Sequence, residues 1–383
     1  MKILVCPDKF KECLNARLVG VHLREGIMKV IADAACKLVP LADGGEGTVE
    51  ALVEATGGTI VKCRVHDPLM RPIDSFFGIT GDGKTAVIEM AAASGLALLK
   101  PEERNPLHTT TYGTGELIRH ALDRGCHEII LGIGGSATVD GGVGMAQALG
   151  ASFTDDTGWE VPPGGGGVGS LYRIDTANLE TRLKHCKIHA ACDVTNPLTG
   201  PQGAAHVFGP QKGATLEMVM RLEDNLRHLA RLIRETQHMD VEKLPGSGAA
   251  GGMGGGIMAF LGGQLTPGFN LISHSVKLEE WILWADVVVT GEGKMDYQTA
   301  FGKTPAGVAD LAGSLKKPVI AFTGSLSGET DQFRKMGFTA VIPITDKPMT
   351  LKESITDAGR LLENAAERTF ELISLGELLM LNR

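Results

Sequence analysis

The chain has 383 residues, and its 37 Lys and Arg against 45 Asp and Glu give a formal net charge of −8. This length is enough for two or three domains, each burying a core of its own. The acidic balance and an aromatic content of only 5% argue against a nucleic-acid-binding protein, which would carry a basic surface and aromatic stacking platforms. A hydrophobic content of 43% is typical of a folded globular chain.

The sequence contains no apolar run near the roughly 18 residues that span a membrane. The apolar run at residues 1–5 is also too short for a signal peptide. The seven cysteines are an odd number without a CxxC pair, which disfavours a disulfide framework. We therefore expect a cytoplasmic protein with reduced thiols and with neither membrane nor nucleic-acid partners.

Short apolar, β-branched runs occur toward both ends of the chain, and each one ends in small or acidic residues. Such runs are typical of strands that are buried on both faces of a sheet. Segments with apolar residues three and four positions apart lie between them, and this alternation predicts a parallel sheet covered by helices. The predicted strands are 2–6, 37–41, 286–289, 318–322 and 340–344, and the predicted helices include 18–31, 48–55 and 306–315.

The middle of the chain has a different pattern. Residues 65–85 alternate apolar and polar side chains, which predicts antiparallel hairpins, and residues 216–236 predict a long amphipathic helix. We therefore predict an α/β fold in which both chain ends form a doubly wound parallel-sheet domain, residues 1–66 plus 283–383. A mixed α/β domain, residues 67–282, is inserted into it.

Residues 78–85 match the P-loop pattern GxxxxGK[ST], with Lys84 in the lysine position. A functional P-loop follows a buried strand and begins a helix, so that its amides face the phosphates. The flanking residues here alternate or are β-branched instead, and residues 81–83 are typical of a hairpin turn. We therefore interpret the match as a β-hairpin and not as a nucleotide site.

A second glycine-rich segment, residues 246–251, matches the GxGxxG pattern of dinucleotide-binding turns. Leu244 and Pro245 precede it where a strand is required, and no ribose-binding acid follows at the expected distance, so a dinucleotide site is disfavoured. Gly251 and Gly252 either bind a phosphate or carboxylate at a helix N-terminus or permit tight helix packing. The sequence leaves both interpretations open.

Residues 132–142 form a third glycine-rich segment, which directly follows a predicted buried strand at 128–131. Its backbone amides, two hydroxyls and one carboxylate suit an oxyanion with its metal ion. A structural turn would not need so many hydroxyls and glycines together, so we predict a phosphate-binding loop. The candidate residues are Gly134, Gly135, Ser136, Ala137 and Asp140.

Acidic turns also follow apolar runs at residues 43–47, 192–196 and 292–296. Ligands bind at the carboxyl ends of strands in open parallel sheets, where carboxylates suit Mg²⁺ binding or general-base work. Helix N-capping by Asp is the structural alternative and would explain one of these turns. His185 and His189 lie four residues apart, but residues 187–192 predict a strand, so the two would not share a helix face. Without matched His or Cys partners, a zinc site is disfavoured.

Two lysines, Lys212 and Lys303, lie beside glycine in predicted loops. Lysines in such loops suit the recognition of phosphate or carboxylate groups as point charges. Solvated surface lysines are the alternative, and the pattern by itself favours neither interpretation.

Together, and in this order, these segments resemble the bacterial glycerate kinases of the first type. The resemblance extends from residue 1 to about 375 and is therefore more specific than any single motif. Two departures are Glu12-Cys13, where Gly-Ser or Glu-Ser is expected, and Val139, where Asn is frequent. The resemblance is carried by residues 7–12, 40–48, 88–96, 111–118, 134–138, 191–198, 208–214 and 290–293, with Asp296, Gln298, Gly302 and Lys303.

The resemblance implies an enzyme that uses ATP and Mg²⁺ to phosphorylate D-glycerate, with 2-phosphoglycerate as the expected product. It also implies two α/β domains, one of them flavodoxin-like. Phosphoryl transfer needs mainly positioning and charge neutralisation, so charged residues and glycine loops are the expected site. The expected catalytic residues are Asp193, our first choice for the general base, then Asp296, and Lys212. The expected substrate- or phosphate-binding residues are Asp8, Lys11, Gly134, Gly135, Ser136, Ala137, Asp140, Asn196, Gly251, Gly252 and Lys303, and the expected metal ligands are Asp43, Glu46 and Glu292.

Two other functions stay open at this point. One is a nicotinamide-dependent oxidoreductase of a small hydroxy acid, which would use residues 246–251. The other is a sensor that binds a small acid without catalysis, although so many charged groups at strand ends exceed what binding alone needs. The sequence also leaves open whether the chain forms a homo-oligomer and which domain binds the nucleotide.

Overall fold

The computed structural model describes residues 1–296 and 303–381. Its strands are β1 (Lys2–Val5), β2 (Ala35–Leu38), β3 (Thr59–His66), β4 (Pro72–Ile79), β5 (Thr85–Glu89), β6 (Glu128–Gly132), β7 (Ser152–Thr154), β8 (Arg173–Asp175), β9 (Lys187–Ala191), β10 (Gln264–Thr266), β11 (Val287–Met295), β12 (Val319–Leu326) and β13 (Ala340–Pro343).

Its α-helices are α1 (Ala16–Val30), α2 (Thr48–Thr56), α3 (Ala91–Ser94), α4 (Tyr112–Asp123), α5 (Val143–Ala148), α6 (Ala204–Phe208), α7 (Leu216–Gln237), α8 (Ala249–Leu261), α9 (Gly268–Ser275), α10 (Leu278–Trp284), α11 (Thr304–Ser314), α12 (Thr330–Lys335), α13 (Leu351–Thr356) and α14 (Ala358–Leu381). Short 3-10 turns lie at Leu96–Leu98, Pro101–Glu103, Gly167–Ser170, Thr181–His185 and Pro210–Lys212.

The chain divides into two compact units. Unit 1 comprises Met1–Asp43 and Ile272–Arg383, and unit 2 comprises Gly44–Leu271. The predicted limits between the two domains lie elsewhere, between residues 66 and 67 and between residues 282 and 283. The difference at the first limit arises because β3 pairs along its whole length with β4, so this strand belongs to the sheet of unit 2.

Unit 1 contains a five-stranded, fully parallel sheet in the order β13-β12-β11-β1-β2. Numbered within the unit, this is the order 2-1-3-4-5 of doubly wound, flavodoxin-like folds. Its strands form because their apolar runs are buried on both faces: Ile3, Val5 and Val289 are fully buried in one cluster with Phe322 and Phe370. The predicted flavodoxin-like fold built from both chain ends is confirmed.

Unit 2 contains a six-stranded mixed sheet in the order β10-β9-β6-β5-β4-β3. The first four of these strands are parallel to one another, whereas β4 and β3 are antiparallel additions at one edge. A smaller antiparallel pair is formed by β7 and β8. The core of this unit packs β5 and β6 against residues of α4, α5, α7 and α8, as expected for the predicted mixed α/β fold.

The segment that matches the P-loop pattern is the turn between β4 and β5, two antiparallel strands. Asp82 organises this turn by accepting hydrogen bonds from the Thr80 hydroxyl and from the amides of Lys84 and Thr85. Partial burial raises the pKa of Asp82, but these hydrogen bonds outweigh it and lower the pKa to about 2. The interpretation of this segment as a hairpin is confirmed.

Helix α7 has the amphipathic pattern that its sequence predicts. Thr215 caps its N-terminus by accepting a hydrogen bond from the amide of Met218. The apolar side buries Leu222, Leu226 and Leu229 in the core of unit 2. Across the described ranges, none of the helices combines the length and the apolar character needed to cross a membrane.

Candidate active site

The carboxyl edge of the sheet in unit 1 opens into a cavity of about 440 Å³. The strand order reverses between β1 and β11, and in open α/β sheets ligands bind at the carboxyl edge beside such a point. The turns that follow β1, β2 and β13 and the ends of β11 and β12 all contribute to the lining. Five of the predicted site residues line this one cavity: Asp8, Lys11, Asp43, Glu292 and Lys303.

Carboxylates and lysines both line this cavity. Burial, and next the negative charge of Asp43, raise the pKa of Asp8 to about 7, although the amide of Lys9 donates a hydrogen bond to it at 2.7 Å. Lys303 Nζ lies 3.4 Å from Glu292 Oε2 and supplies positive charge beside these carboxylates. An additional cation would relieve the repulsion between Asp8 and Asp43.

The donor set of this cavity fits Mg²⁺. This ion prefers oxygen ligands, keeps several of its waters and is usually held by one or two carboxylates together with substrate phosphates. Asp8, Asp43 and Glu292 offer such oxygens. A tighter group of metal-binding side chains occurs, among the residues described, only at His22, Glu25 and Glu363, whose ligand atoms lie within 4.8 Å of one another outside the cavity.

The chain that follows β11 is only partly described. Asp296 is nearly buried, and its carboxylate lies 3.1 Å from Lys294 Nζ. Gln298 and Gly302, which contribute to the family resemblance, lie outside the described residues. The predicted role of Asp296 as an alternative general base therefore stays a prediction.

The predicted phosphate loop of unit 2 follows β6 and is exposed only at its first glycines. Gly134 and Gly135 are exposed, whereas Ser136 and Ala137 are buried. The backbone of Ala137 is already used, because its amide donates to Ser94 O at 2.9 Å and its carbonyl accepts from the Thr109 hydroxyl at 2.7 Å. Gly134 and Gly135 are therefore the part of this loop that can meet a ligand.

Lys212 lies underneath this loop and is only 1% exposed. Its ammonium donates hydrogen bonds to Ser136 Oγ and Thr138 O, both at 2.7 Å. Burial lowers the pKa of Lys212 to about 7, although the negative charge of Asp140 acts in the opposite direction. The geometry makes Lys212 a positioning residue of the loop, and a direct contact with phosphate stays a prediction.

Asp140 closes the far end of the same loop from inside the protein. Its carboxylate accepts hydrogen bonds from the amide and hydroxyl of Thr111, at 2.8 and 2.9 Å, and from the amides of Gly142 and Gly144. Burial raises the pKa of Asp140, while these hydrogen bonds act to lower it. This carboxylate anchors the loop to α4 and α5.

Gly251 and Gly252 permit close packing of α8 on the same loop. Both have positive φ values, 73° and 90°, in the first turns of α8. A Cβ atom at Gly251 would collide with Thr138 O, and one at Gly252 would come within 2.9 Å of Gly141 Cα. Gly251 O also accepts a hydrogen bond from the amide of Gly141 at 3.1 Å. These contacts favour the packing interpretation over direct anion binding.

Asp193 lies after β9, at the same edge of the sheet as the glycine loop after β6, because β6 and β9 are adjacent and parallel. Its Oδ1 accepts a hydrogen bond at 2.8 Å from the amide of Gly268, the first residue of α9. Asn196 Nδ2 donates to Gln202 O at 2.8 Å. Both side chains thus have structural roles, and their predicted catalytic and binding roles stay predictions.

Glu46 belongs to unit 2, unlike the other predicted metal ligands Asp43 and Glu292. It is exposed in the turn before α2. Gly45, its neighbour, lies close to the phosphate loop: its Cα is 3.3 Å from the Cβ position of Gly134. The predicted grouping of all three acids around one metal stays a prediction.

Residues 3–374 match the family model described as the glycerate kinase family. The chain belongs to the glycerate kinase family. It is 49% identical over 358 residues to glycerate 2-kinase of Escherichia coli (strain K12), covering 94% of both chains. It is 45% identical over 381 residues to glycerate kinase of Bacillus subtilis (strain 168), covering 100% of both. A crystal structure named as glycerate kinase 2 from Salmonella typhimurium LT2 matches with a TM-score of 0.91 and 48% identity, covering 99% of both chains.

Membership of the glycerate kinase family confirms the resemblance found in the sequence and the prediction that the chain is a kinase. The oxidoreductase alternative loses its basis. In the described chain no strand precedes Gly246, since residues 242–248 form turns.

The sequence did not indicate several residues of the candidate site. Phe10, Ile344 and Ile355 give the cavity of unit 1 an apolar lining, and Cys13 also contributes to it. Phe10 and Cys13 lie near the start of the chain, Ile344 and Ile355 lie near its end, and the two pairs share no motif. Thr111, which holds Asp140, lies in a segment of family resemblance, and this was the one signal that could have identified it.

Proposed function

We propose that this chain transfers the γ-phosphoryl group of ATP to D-glycerate and forms 2-phosphoglycerate and ADP. The observation that carries the proposal is the cavity of unit 1, in which Asp8, Asp43 and Glu292 lie with Lys303 in a chain of the glycerate kinase family. Phosphoryl transfer depends mainly on such charge neutralisation and on positioning.

Each unit contributes a distinct part of the reaction. Asp43, Asp8 and Glu292 would hold Mg²⁺, which neutralises charge on the phosphates when it is bound. Lys303 adds positive charge beside them. In unit 2, the amides of the exposed Gly134 and Gly135 bind an oxyanion of a substrate. Lys212 holds the loop that carries these two glycines in position.

Asp193 is the proposed general base for the glycerate hydroxyl. It is exposed at the carboxyl edge of the sheet in unit 2, and the amide of Gly268 fixes the orientation of its carboxylate. A base in this position accelerates the reaction by about 10²–10⁴-fold. Asp296 is the second candidate for the role.

The choice of 2-phosphoglycerate over 3-phosphoglycerate is supported by one relative. The Escherichia coli protein that is 49% identical to this chain is named glycerate 2-kinase. The same hydroxyl specificity is proposed here.

The deciding experiment measures ADP formation from ATP and Mg²⁺ with and without D-glycerate, and identifies the product by phosphorus NMR. We expect ADP only when D-glycerate is present, and a phosphorus coupling that places the phosphate on the C2 oxygen. Coupling to the C3 methylene would contradict the proposed product but not the kinase. ADP formation at the same rate with and without D-glycerate would contradict the proposal that D-glycerate is the acceptor.

The general base is tested by Asp193→Asn, with Asp296→Asn measured in parallel. We expect kcat to fall by about 10²–10⁴-fold for the first variant. The matched control is Asp224→Asn, an exposed carboxylate on α7, which should leave kcat unchanged. An Asp193→Asn protein that folds normally and keeps its kcat would assign the base elsewhere, and a large loss in Asp296→Asn would assign it to that residue.

A further inference from the structure

The cavity of unit 1 has an apolar lining that the charge requirements of phosphoryl transfer do not explain. Ile344 follows β13, Ile355 and Leu351 lie on α13, and Ala358 begins α14. Phe10 joins this wall: its ring lies 3.7 Å from the Cβ position of Gly324, at the end of β12.

The apolar and charged linings lie on different sides of the cavity. Asp8, Asp43 and Glu292 follow or belong to β1, β2 and β11, which form one side of the sheet. Ile344 and Ile355 follow β13, which is the opposite edge strand. A ligand that fills the cavity therefore meets carboxylates and Lys303 at one end and the aliphatic side chains that follow β13 at the other.

D-Glycerate does not match such a lining. It carries an oxygen on every carbon and offers no apolar face. An adenine base is flat, with faces that pack well against aromatic and aliphatic side chains, and its triphosphate needs charge neutralisation. The volume of about 440 Å³ lies within the range of pockets that hold small cofactors.

We infer that unit 1 binds the nucleotide, with the base against Ile355 and Leu351, the exposed part of the apolar lining, and the phosphates directed toward Asp43, Glu292 and Lys303. This inference rests on the proposed kinase function. If the nucleotide occupies this cavity, D-glycerate binds in another part of the protein. The apolar wall is then the feature that selects a nucleotide over a simple polyphosphate.

A flavin mononucleotide is the main competitor, because the strand order 2-1-3-4-5 also serves flavin-binding proteins at this edge of the sheet. Its phosphate would enter a cavity lined by the carboxylates of Asp8, Asp43 and Glu292 as well as by lysines. A nucleoside triphosphate brings a divalent cation that these carboxylates attract. The attraction of these carboxylates for a divalent cation therefore favours the nucleoside triphosphate over the flavin.

Cys13 provides a direct reporter of occupancy. It lines the cavity, is half-buried, and its Sγ lies 3.3 Å from Ile355 O. Alkylation of each cysteine by iodoacetamide can be followed peptide by peptide with mass spectrometry. We expect ADP with Mg²⁺ to slow the alkylation of Cys13 at least about tenfold, the ratio expected for a site that is 90% occupied. Cys186, half-buried in unit 2, is the internal control and should react at an unchanged rate.

A substitution tests the apolar wall itself. Ile355→Asp places a carboxylate where the base packs, and the residue is 36% exposed, so folding should tolerate the change. We expect the Kd for ADP to rise at least about tenfold, since the new charge loses solvent when the base binds. The KM for D-glycerate should stay within about twofold of the unchanged protein. Ile355→Val should keep the affinity for ADP.

The matched control is Leu372→Asp. Leu372 is an exposed leucine on α14 that is 71% accessible and does not line the cavity, so this variant should bind ADP normally. Protection of Cys13 by D-glycerate or by flavin mononucleotide, in place of ADP, would overturn the inference. So would unchanged ADP affinity in Ile355→Asp.

The two proposals fail separately. Glycerate-dependent ADP formation without protection of Cys13 would retain the kinase and remove the nucleotide from this cavity. Protection of Cys13 by ADP in a protein that does not phosphorylate D-glycerate would support the nucleotide site and remove the proposed acceptor.

Discussion

The cavity of unit 1 and the glycine loop of unit 2 use charged residues in opposite ways. In unit 1, Asp43 and Lys303 line a cavity that a ligand can enter. In unit 2, Lys212 and Asp140 are buried and form hydrogen bonds with the loop and its supports. Charged residues beside glycine therefore line an open cavity in one unit and form internal supports in the other.

This difference separates two kinds of effect. Removing a charge from the cavity of unit 1 should change catalysis and leave folding nearly intact. Removing a buried charge from unit 2 leaves its hydrogen-bond partners unpaired and should change stability as well. Four substitutions test this distinction.

Asp140→Ala is expected to have the largest effect. It removes the acceptor of hydrogen bonds from Thr111, Gly142 and Gly144, and each buried donor left unpaired costs about 1–3 kcal/mol. We expect the free energy of unfolding of unit 2 to fall by at least about 3 kcal/mol. Hydrogen exchange resolved by peptide would show faster exchange in α4 and α5. Exchange unchanged from that of the original protein would mean that Asp140 does not anchor the loop.

Asp43→Asn should have the next largest effect, and it should act on catalysis alone. Loss of one proposed Mg²⁺ ligand is expected to lower kcat by about 10²–10³-fold, because the ion that neutralises the phosphates is then held less well. The melting temperature should stay close to that of the original protein. Steady-state kinetics and thermal unfolding measured on the same sample provide the check. A large fall in melting temperature would show that Asp43 is a structural support like Asp140.

Lys212→Met should give a moderate effect that depends on pH. Burial lowers the pKa of Lys212 to about 7, so between pH 7 and its ordinary value of 10.5 the unfolded chain binds the proton more tightly. The contribution of Lys212 to stability is therefore least favourable below pH 7 and improves as the pH rises through that window.

Thermal unfolding of both proteins across this pH range measures the effect. The melting temperature of the original protein should rise relative to that of Lys212→Met as the pH increases from 7 to 10. The kcat of the variant should fall by about 10–100-fold, because Ser136 loses the donor that positions it. A difference in melting temperature that is constant with pH would contradict a buried, neutral lysine above pH 7.

Lys84→Ala should have the smallest effect. Lys84 belongs to the turn between β4 and β5, and only its resemblance to a P-loop lysine suggests a role in nucleotide binding. We expect kcat and the KM for ATP to stay within about twofold, as is usual for exposed surface substitutions. A large rise in the KM for ATP would restore the P-loop interpretation of this segment.

The strands of unit 1 and the use of both chain ends could be predicted because apolar runs report burial directly. β1 and β11 were recognisable from residues 2–6 and 286–289, which are apolar almost throughout. The limit between the units was harder to predict. β3 is an edge strand, and the sequence does not show that it pairs with β4.

The residues of the candidate site were predictable by type but not by orientation. Asp140 and Lys212 lie beside glycines, as Asp43 and Lys303 do, and only the folded chain shows that the first two face inward. The apolar wall was not predictable for a different reason. Phe10, Ile344 and Ile355 come together only after β1 and β13 join one sheet, so no local pattern marks them.

The position of β1 also bears on how the chain folds as it is synthesised. β1 pairs with β2 on one side and with β11 on the other, and the whole of unit 2 lies between them in the sequence. While the ribosome translates residues 44–271, β1 therefore presents an open edge that no later strand has yet covered. Unit 2 can fold in this interval, since it is a compact unit formed by one continuous stretch of chain. Premature termination before β11 would release a folded unit 2 attached to a pair of strands with one open, apolar edge, which is a substrate for aggregation or for chaperones.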